Sequence, residues 1–354
     1  MRLSRRSFLI GGGALATATL AGGFTDLLVP RPRPLAQDTA VPVTAVPIDR
    51  LSVSDPDRTR FGSLLFRSGL VLKSPVSGFG GFSALWRSSD GGKLVAVSDN
   101  AHWLRARVET SEGRLSGLGD AVLAPLLLET GKPLAKSRFF DTESLAIAGR
   151  TAFVGVERSQ DVIRFDWDPA GRLAHGRPIP VRLAHGRPIP VPEEVKDLPN
   201  NRGLEAMAVA PRGSALAGSL VAVAERDKRG SATPTKGFIL TGRHRGTFAV
   251  ARSDDYEIAD LAFLPEGDLL LLDRQSSFLG GFSIRLRRID GRDVQPGALV
   301  DGPVLYESDA AEQIDNMEGL SVHQEGPDTV LTLISDDNFS PFQRTILLEF
   351  SLAG

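Results

Sequence analysis

The chain contains no cysteine among its 354 residues. Disulfide bonds therefore cannot stabilise the fold, even in an oxidising compartment, and stability must come from the hydrophobic core. An apolar content of 42% and this length are enough for a full core. The composition is that of an ordinary globular protein.

Residues for a serine hydrolase triad are also scarce. The sequence has no G-x-S-x-G motif and only five histidines, two of which, His175 and His185, lie in a duplicated segment. Since a triad needs a histidine beside its nucleophile, covalent acyl chemistry is disfavoured. Of the remaining histidines, His102 and His323 are candidate general acids, although a surface or turn position explains both.

No long run of basic or acidic residues is present. The 41 Lys and Arg residues nearly balance the 43 Asp and Glu residues, for a formal net charge of −2. A nucleic-acid-binding protein needs a basic patch that follows the phosphates, and a membrane-surface protein needs a similar excess. We therefore expect no nucleic-acid partner, and any binding site must be local.

The N-terminus resembles a twin-arginine export signal. Arg5 and Arg6 precede a Gly- and Ala-rich run that ends near Gly23, too short and too rich in glycine for a stable spanning helix. A proline-rich spacer follows, with cleavage expected after Ala36. We therefore expect a signal and spacer over residues 1–36 and one mature domain over 37–354, periplasmic or secreted, monomeric and without a membrane span.

A ten-residue sequence occurs twice in tandem, at residues 172–181 and 182–191. Identical neighbouring copies indicate a recent duplication in a tolerant loop, and the prolines of both copies oppose regular strand pairing. His175 and His185 are a conceivable metal pair, but a ligand pair needs a fixed geometry that such a loop does not supply.

A longer and more divergent repeat organises the rest of the chain. Five units align on an apolar residue that follows a small one, with separations of 60, 62, 54 and 59 residues; the aligned positions are Leu85, Leu145, Met207, Leu261 and Leu320. In each unit a turn rich in Gly, Pro or Asp leads to a second apolar strand, so each unit opens with a β-hairpin.

Repeated hairpins with few amphipathic helices predict an all-β fold, a β-propeller with blades of about four antiparallel strands. The five units set the minimum number of blades. The segments near residues 63–72 and 344–352 either form a sixth blade or close a ring of five. The spacing leaves five and six blades open.

Carboxylates mark the start of the first strand and the end of the second in these hairpins. Antiparallel pairing places Glu143 near Glu157, Glu205 near Glu225, and Glu318 near Asp336. The first unit has Ser83 at the first position and keeps Asp99 at the second. The fourth unit has Ala259 at the first position, with Asp260 one residue later, and Asp273 at the second. We therefore expect a lopsided acidic rim at one mouth of the central channel.

Two interpretations of this rim compete. In one, Arg158, Arg226 and Arg274 pair with the acids and form an ionic collar that binds nothing. In the other, carboxylates hold a hard cation such as Ca²⁺, which prefers several oxygen ligands. The candidate metal ligands are Glu143, Glu205, Glu318, Asp99, Asp260 and Asp336.

The motifs GFSAL, DTESLAI, NRGLEAMAV, IADLAFLPEGDLLLLDR and NMEGLSV resemble the bacterial phytase-like family described as having esterase-like activity of phytase. The resemblance covers about residues 78–352. It implies a propeller fold, export, and hydrolysis of phosphate or other esters. The tandem copy departs from the family pattern as a loop insertion.

The carboxylates of the rim are better suited to metal-assisted attack by water than to covalent catalysis. A Ca²⁺ ion held by the rim would polarise a phosphoryl or carbonyl oxygen, and a remaining carboxylate would act as base. The candidate catalytic residues are Glu205 and Glu318, with Arg202 and Arg226 facing a small anionic or ester substrate. The alternative is a periplasmic ligand-binding or scaffold propeller without catalysis, because fold alone does not decide function.

Overall fold

Short strands make up almost all of the regular structure in the computed structural model, which describes residues 32–167, 173–174, 177–178, 186–198, 203–226, 233–277 and 281–353. Two short helices are present among these residues, a 3₁₀ turn at Leu134–Lys136 and α1 at Glu193–Lys196. None of the described helices is long and apolar enough to cross a membrane.

The described strands form five blade sheets that follow one another along the chain, and β12 and β13 form a separate two-stranded hairpin. Four strands precede the first repeat unit: β1 (Thr39–Ala40), β2 (Thr44–Ile48), β3 (Arg60–Phe61) and β4 (Leu64–Lys73). Blade 1 is built from β5 (Phe82–Arg87), β6 (Lys93–Ser98), β7 (His102–Ser111) and β8 (Arg114–Pro125), and β1 pairs with β8 at its outer edge. Blade 2 contains β9 (Thr142–Ala148), β10 (Thr151–Val156), β11 (Asp161–Asp166) and, after the small hairpin of β12 (Leu173–Ala174) and β13 (Arg177–Pro178), the edge strand β14 (Arg187–Ile189).

Blades 3 to 5 repeat the same plan. Blade 3 has β15 (Leu204–Val209), β16 (Leu220–Ala224), β17 (Thr235–Ile239) and β18 (Gly246–Val250). Blade 4 has β19 (Glu257–Phe263), β20 (Leu269–Ser277) and β21 (Gly281–Ile289); then β22 (Leu299–Val300) pairs in parallel with β18 of blade 3, and β23 (Val304–Glu307) returns to blade 4. Blade 5 has β24 (Met317–Glu325), β25 (Asp328–Ser335) and β26 (Thr345–Leu352).

The inner strands β5, β9, β15, β19 and β24 form a closed ring. Each of them contacts the inner strands of the two neighbouring blades, and β24 contacts β5. The five aligned apolar residues of the sequence repeat lie on these five strands. The fold is therefore a five-bladed β-propeller, and the predicted β-propeller is confirmed.

The ring closes through pairing of the two ends of the propeller. Strand β26 pairs with β4, and β4 pairs with β2, so the N-terminal strands complete blade 5 instead of forming a sixth blade. Strand β1 lies on blade 1 while β2 lies on blade 5, so residues 39–48 also cross the seam. Radial repetition of the blades leaves only short, protected sheet edges.

Five hydrophobic clusters fill the five interfaces between consecutive blades. Strand β20 has a continuous apolar sequence because both of its faces are buried. Its side chains alternate between the two sheet faces, so Leu269 and Leu271 join the cluster shared with blade 3, while Leu270 and Leu272 join the cluster shared with blade 5. A blade buried on both faces needs apolar residues at successive positions.

The described residues of the tandem duplication include paired strands that the sequence did not predict. Residues Arg187–Ile189 of the second copy form β14, which pairs with β11 at the outer edge of blade 2. In the first copy, Leu173–Ala174 pair with Arg177–Pro178. The expectation that proline prevents regular pairing is therefore wrong for both copies. Pro188 lies opposite Ile163 on an edge strand, where a missing backbone N–H is tolerated.

Candidate active site at the channel mouth

A β-bulge interrupts the first hairpin of every blade at the same place. The register of the inner strand with its partner shifts by one residue, which leaves an extra residue in each blade: Ser83, Glu143, Glu205, Ala259 and Glu318. A bulge redirects the side chain of the extra residue and bends its strand. The positions aligned in the sequence are therefore structurally equivalent at one mouth of the channel.

The hairpin of blade 2 brings three carboxylates together. Thr142 pairs with Val156, and beyond this pair the backbone N–H of Glu157 donates to the carbonyl of Asp141 at 2.9 Å, so these two acids lie opposite each other. Glu143 is the bulged residue directly after Thr142 on the same hairpin. Oxygen atoms of Asp141, Glu143 and Glu157 all lie within 4.8 Å of one another. The proximity of Glu143 and Glu157 matches the sequence prediction, whereas Asp141 was absent from the predicted set.

Burial and mutual repulsion raise the pKa values of Glu143 and Glu157. Burial is the main cause for Glu143, whose pKa is raised well above its usual value, and Asp141, Glu157 and Asp99 add to it. Burial raises the pKa of Glu157 to about 7, and the charge of Asp141 contributes. Both groups resist ionisation unless a positive charge comes close.

Glu205 interacts both with the acids of blade 2 and with Arg274 of blade 4. Burial raises its pKa well above the usual value, and Glu157, Glu143 and Glu225 raise it further, while Arg274 lowers it. The amide of Gly203 donates to a Glu157 oxygen at 3.3 Å, which ties blade 3 to blade 2 beside this group.

The acidic part continues to blades 1 and 5. Burial raises the pKa of Asp336 well above its usual value, and Asp99 and Asp337 also raise it. The backbone N–H of Asn338 donates to Asp336 at 2.6 Å, which fixes the carboxylate after β25. Asp99 interacts electrostatically with both Glu143 and Asp336, so it connects the two groups.

Arginines neutralise the opposite part of the rim. Arg274 of blade 4 donates to Glu318 and, at 2.9 Å, to the side chain of Asn316, and it lies 3.6 Å from Glu225. Arg226 lies 2.5 Å from Glu257. The collar interpretation thus describes the surroundings of Arg226 and Arg274, whereas the acidic interpretation describes blades 1 and 2 together with Asp336 of blade 5.

Two predicted acids face other partners. Asp260 accepts the backbone N–H groups of Leu261 at 2.8 Å and Leu320 at 2.7 Å, so it links blade 4 to blade 5. Asp273 accepts from the guanidinium groups of Arg285 and Arg287 within its own blade. We therefore leave both out of the proposed ligand set.

Other predicted residues lie apart from the acidic part of the rim or outside the described residues. His102 is buried, accepts the N–H of Leu35 at 2.8 Å, and has its pKa lowered to about 4 by burial. Burial also lowers the pKa of His323 to about 4, and this residue lies towards the other end of β24 from Glu318. Arg202, His175 and His185 lie outside the described residues.

The donor chemistry of Asp141, Glu143 and Glu157 fits a hard divalent cation. Ca²⁺ and Mg²⁺ bind carboxylate oxygens, and Ca²⁺ tolerates irregular sets of six to eight ligands. A cation would also offset the repulsion among the three acids. Arg158 donates to Asp141 at 2.8 Å, but this contact comes from a side chain that is 44% exposed and so offsets little of that repulsion.

The model of the phytase-like family, described as esterase-like activity of phytase, matches residues 77–339. This chain belongs to the phytase-like family. The matched span contains all five inner strands and every acid of the rim.

No curated protein matches the chain. Among solved structures, the chain is similar to the PQQ-bound aldose sugar dehydrogenase of Streptomyces coelicolor, with 12% identity, a TM-score of 0.39, and coverage of 90% of this chain and 99% of that one. It is also similar to the Myceliophteria thermophila Cps50 (Swd1) β-propeller domain, with 13% identity, a TM-score of 0.32, and coverage of 78% and 72%. The glutaminyl cyclase of Myxococcus xanthus has 10% identity, a TM-score of 0.37, and coverage of 78% and 92%.

Proposed function

We propose that this phytase-like propeller is an exported hydrolase that cleaves phosphate or other ester bonds at its acidic channel mouth with the help of a bound Ca²⁺ ion. The observation that carries this proposal is the cluster of Asp141, Glu143 and Glu157, whose oxygen atoms lie within 4.8 Å of one another. Membership of a family described by esterase-like activity of phytase supports the reaction class.

Asp141, Glu143 and Glu157 would hold the ion, with Asp99 and Asp336 at its flank towards blade 5. A bound Ca²⁺ supplies a Lewis acid that polarises a phosphoryl or carbonyl oxygen. Glu318 takes part in the collar with Arg274 and serves to position this arginine. The ligand set is thus confined to the part of the rim that lacks strong arginine pairing.

Glu205 is the proposed general base. It interacts with Glu157 on one side and with Arg274 on the other, so it borders both the cation site and the basic part. In its ionised form it takes a proton from water as the water oxygen attacks the phosphorus or carbonyl carbon. The ester oxygen leaves and takes up a proton, which balances the hydrolysis.

Arg226 and Arg274 are the proposed contacts for a substrate anion. Their side chains are 23% and 18% exposed. Arg226 lies just after β16 in the same blade as Glu205, and Arg274 lies on β20 of the neighbouring blade 4. Guanidinium groups bind carboxylate and phosphate oxygens in a bidentate manner. Arg202, which comes directly before Gly203 in the sequence, is a further proposed contact.

The test is hydrolysis of p-nitrophenyl phosphate and p-nitrophenyl acetate by purified protein with Ca²⁺ and with a chelator. We expect activity that the chelator removes and Ca²⁺ restores. Glu143→Gln should lose this activity, while Asp260→Asn, a change at a structural acid of the same rim, should keep it in the folded protein. Absence of hydrolysis in protein that still binds Ca²⁺ would favour the non-catalytic ligand-binding propeller.

Export is tested separately through the arginine pair. Replacing Arg5 and Arg6 with lysine keeps the charge but removes the guanidinium groups, and we expect the variant to remain in the cytoplasm while the wild type reaches the periplasm. Equal export of both proteins would contradict a twin-arginine route.

A further inference from the structure

The segment before β1 is attached to blade 1. The backbone N–H of Leu35 donates to Nε2 of His102 at 2.8 Å. The Leu35 side chain packs, partly buried, against the hydrophobic cluster between blades 5 and 1. Leu35 is therefore part of the folded propeller, although the sequence places it in a spacer that export would remove.

The hydrogen bond from Leu35 satisfies one of the two ring nitrogens of His102. The imidazole is fully buried, and its Nδ1 has no hydrogen-bond partner among the described residues. Burial lowers its pKa to about 4, so the ring is neutral at physiological pH and Nε2 can accept a hydrogen bond. Removal of Leu35 would leave both ring nitrogens buried without a partner in the described structure, which is costly in a folded protein.

Residues after Leu35 are anchored as well. Asp38 lies 3.5 Å from Arg105, Thr39 and Ala40 pair with β8, and the N–H of Val41 donates to the carbonyl of Ala121 at 2.9 Å. The peptide bond between residues 36 and 37 thus lies between two attachment points only three residues apart, Leu35 and Asp38. A protease needs several residues of free, extended backbone on both sides of the bond it cuts.

We propose that signal processing occurs on the N-terminal side of Leu35 and that Leu35 remains in the mature protein as part of blade 1. This replaces the boundary at Gln37 expected from the sequence, and it rests on the proposed export. Residues Ala21, Gly22 and Gly23 end the apolar run with a small-x-small pattern suited to a processing protease. The 11 residues from 24 to 34 would then span at most about 40 Å between that bond and Leu35, so the cut would leave blade 1 intact.

The direct test is the intact mass and N-terminal sequence of the protein recovered from the periplasm. We expect an N-terminus at or before Leu35, with Phe24 the favoured first residue. A mature chain that begins at Gln37 or later would overturn the proposal. Protein that stays unprocessed in the cytoplasm would contradict export, and the next experiment would then decide whether Leu35 belongs to the fold.

That experiment compares two recombinant forms that begin at Phe24 and at Gln37. The shorter form should melt lower by about 1–2 °C, because an unfolding entropy of about 2.1 cal/mol/K per residue converts a loss near 1 kcal/mol into a shift of this size in a chain of more than 300 residues. Within the longer form, Leu35→Pro removes the donated N–H, whereas Leu35→Ala keeps it and removes most of the side chain. We expect both variants to melt lower than the wild type. Equal melting temperatures for the two forms and for Leu35→Pro would show that Leu35 contributes nothing to blade 1 and would overturn the proposal.

Discussion

Oxygen atoms of Glu143 and Glu157 lie within 4.8 Å of each other at the channel mouth, on neighbouring strands of one hairpin. On the opposite side of the same rim, the equivalent residue Glu318 contacts Arg274. Two glutamates at the same position of the repeat therefore have opposite environments, one crowded by acids and one neutralised by a guanidinium group. This contrast supplies matched variants for most of the following tests.

Glu143→Gln should stabilise the protein in the presence of a chelator. The substitution removes a buried acid whose pKa is raised well above the usual value by burial and by Asp141 and Glu157. We expect a gain of about 1–2 kcal/mol in the free energy of unfolding near neutral pH, measured by urea titration. With millimolar Ca²⁺ the wild type should recover this difference, because the ion offsets the same repulsion.

Glu318→Gln is the control for that change. It should destabilise the protein by about 1–2 kcal/mol, less than the loss for a fully buried pair, because Arg274 would lose a partly exposed ionic partner. The stabilisation by Ca²⁺ should persist in this variant. Loss of the calcium response in Glu318→Gln but not in Glu143→Gln would show that the cation binds near Glu318, and it would contradict a site at Glu143.

The pH dependence of stability should carry the signature of Glu157. Burial raises its pKa from 4.5 in the unfolded chain to about 7 in the folded protein. The folded state therefore holds the proton more tightly, so this stabilising contribution is complete below pH 4.5 and is lost as the pH rises towards 7. The total change is at most about 3 kcal/mol.

The measurement is the difference in free energy of unfolding between wild type and Glu157→Gln in chelator across this range. Subtraction cancels the contributions of His102 and His323, whose lowered pKa values act in the opposite direction. The wild type should lose stability relative to the variant as the pH rises. A constant difference would mean that the carboxyl of Glu157 is solvated in the folded state.

Asp260→Asn tests the link between blades 4 and 5. One acceptor oxygen becomes an amide group that faces a backbone N–H, so we expect a loss of about 1–3 kcal/mol in the free energy of unfolding. The calcium response should remain, since both oxygens of Asp260 accept backbone N–H groups. A variant with normal stability and a weakened calcium response would place Asp260 among the ligands.

Deletion of one ten-residue copy should leave stability within about 0.5 kcal/mol of the wild type. Removal of residues 172–181 or 182–191 gives the same protein, because the copies are identical. The remaining Arg-Pro-Ile sequence can pair with β11 as Arg187–Ile189 does. A large fall in the melting temperature would show that the ten-residue spacing itself positions β14.

The sequence was sufficient to predict the propeller because the repeat is carried by the most buried strands. The residues aligned at Leu85 and Leu320 occupy the two inner strands that meet at the seam, and an apolar residue is required at each such position. The number of blades was left open because pairing between β4 and β26 joins segments from the two ends of the chain. Local patterns carry no information about such a long-range pairing.

The acidic site was predicted in part. Antiparallel pairing alone placed Glu143 beside Glu157, whereas Asp141 was missed because it precedes the strand and has a left-handed backbone conformation with a φ of 69°. Asp273 was assigned to the rim, but it lies opposite Arg285 on the next strand. The alternating arginines at residues 285 and 287 were the signal that could have identified this partner.

The central claim is tested most directly by a calcium titration of the melting temperature of wild type and Glu143→Gln, each first stripped with a chelator. A cation that binds only the folded state stabilises it by mass action, so the wild-type melting temperature should rise steadily once the Ca²⁺ concentration passes the dissociation constant. Glu143→Gln should show little or no rise. A wild-type melting temperature that stays constant up to millimolar Ca²⁺ would contradict a calcium site at this mouth.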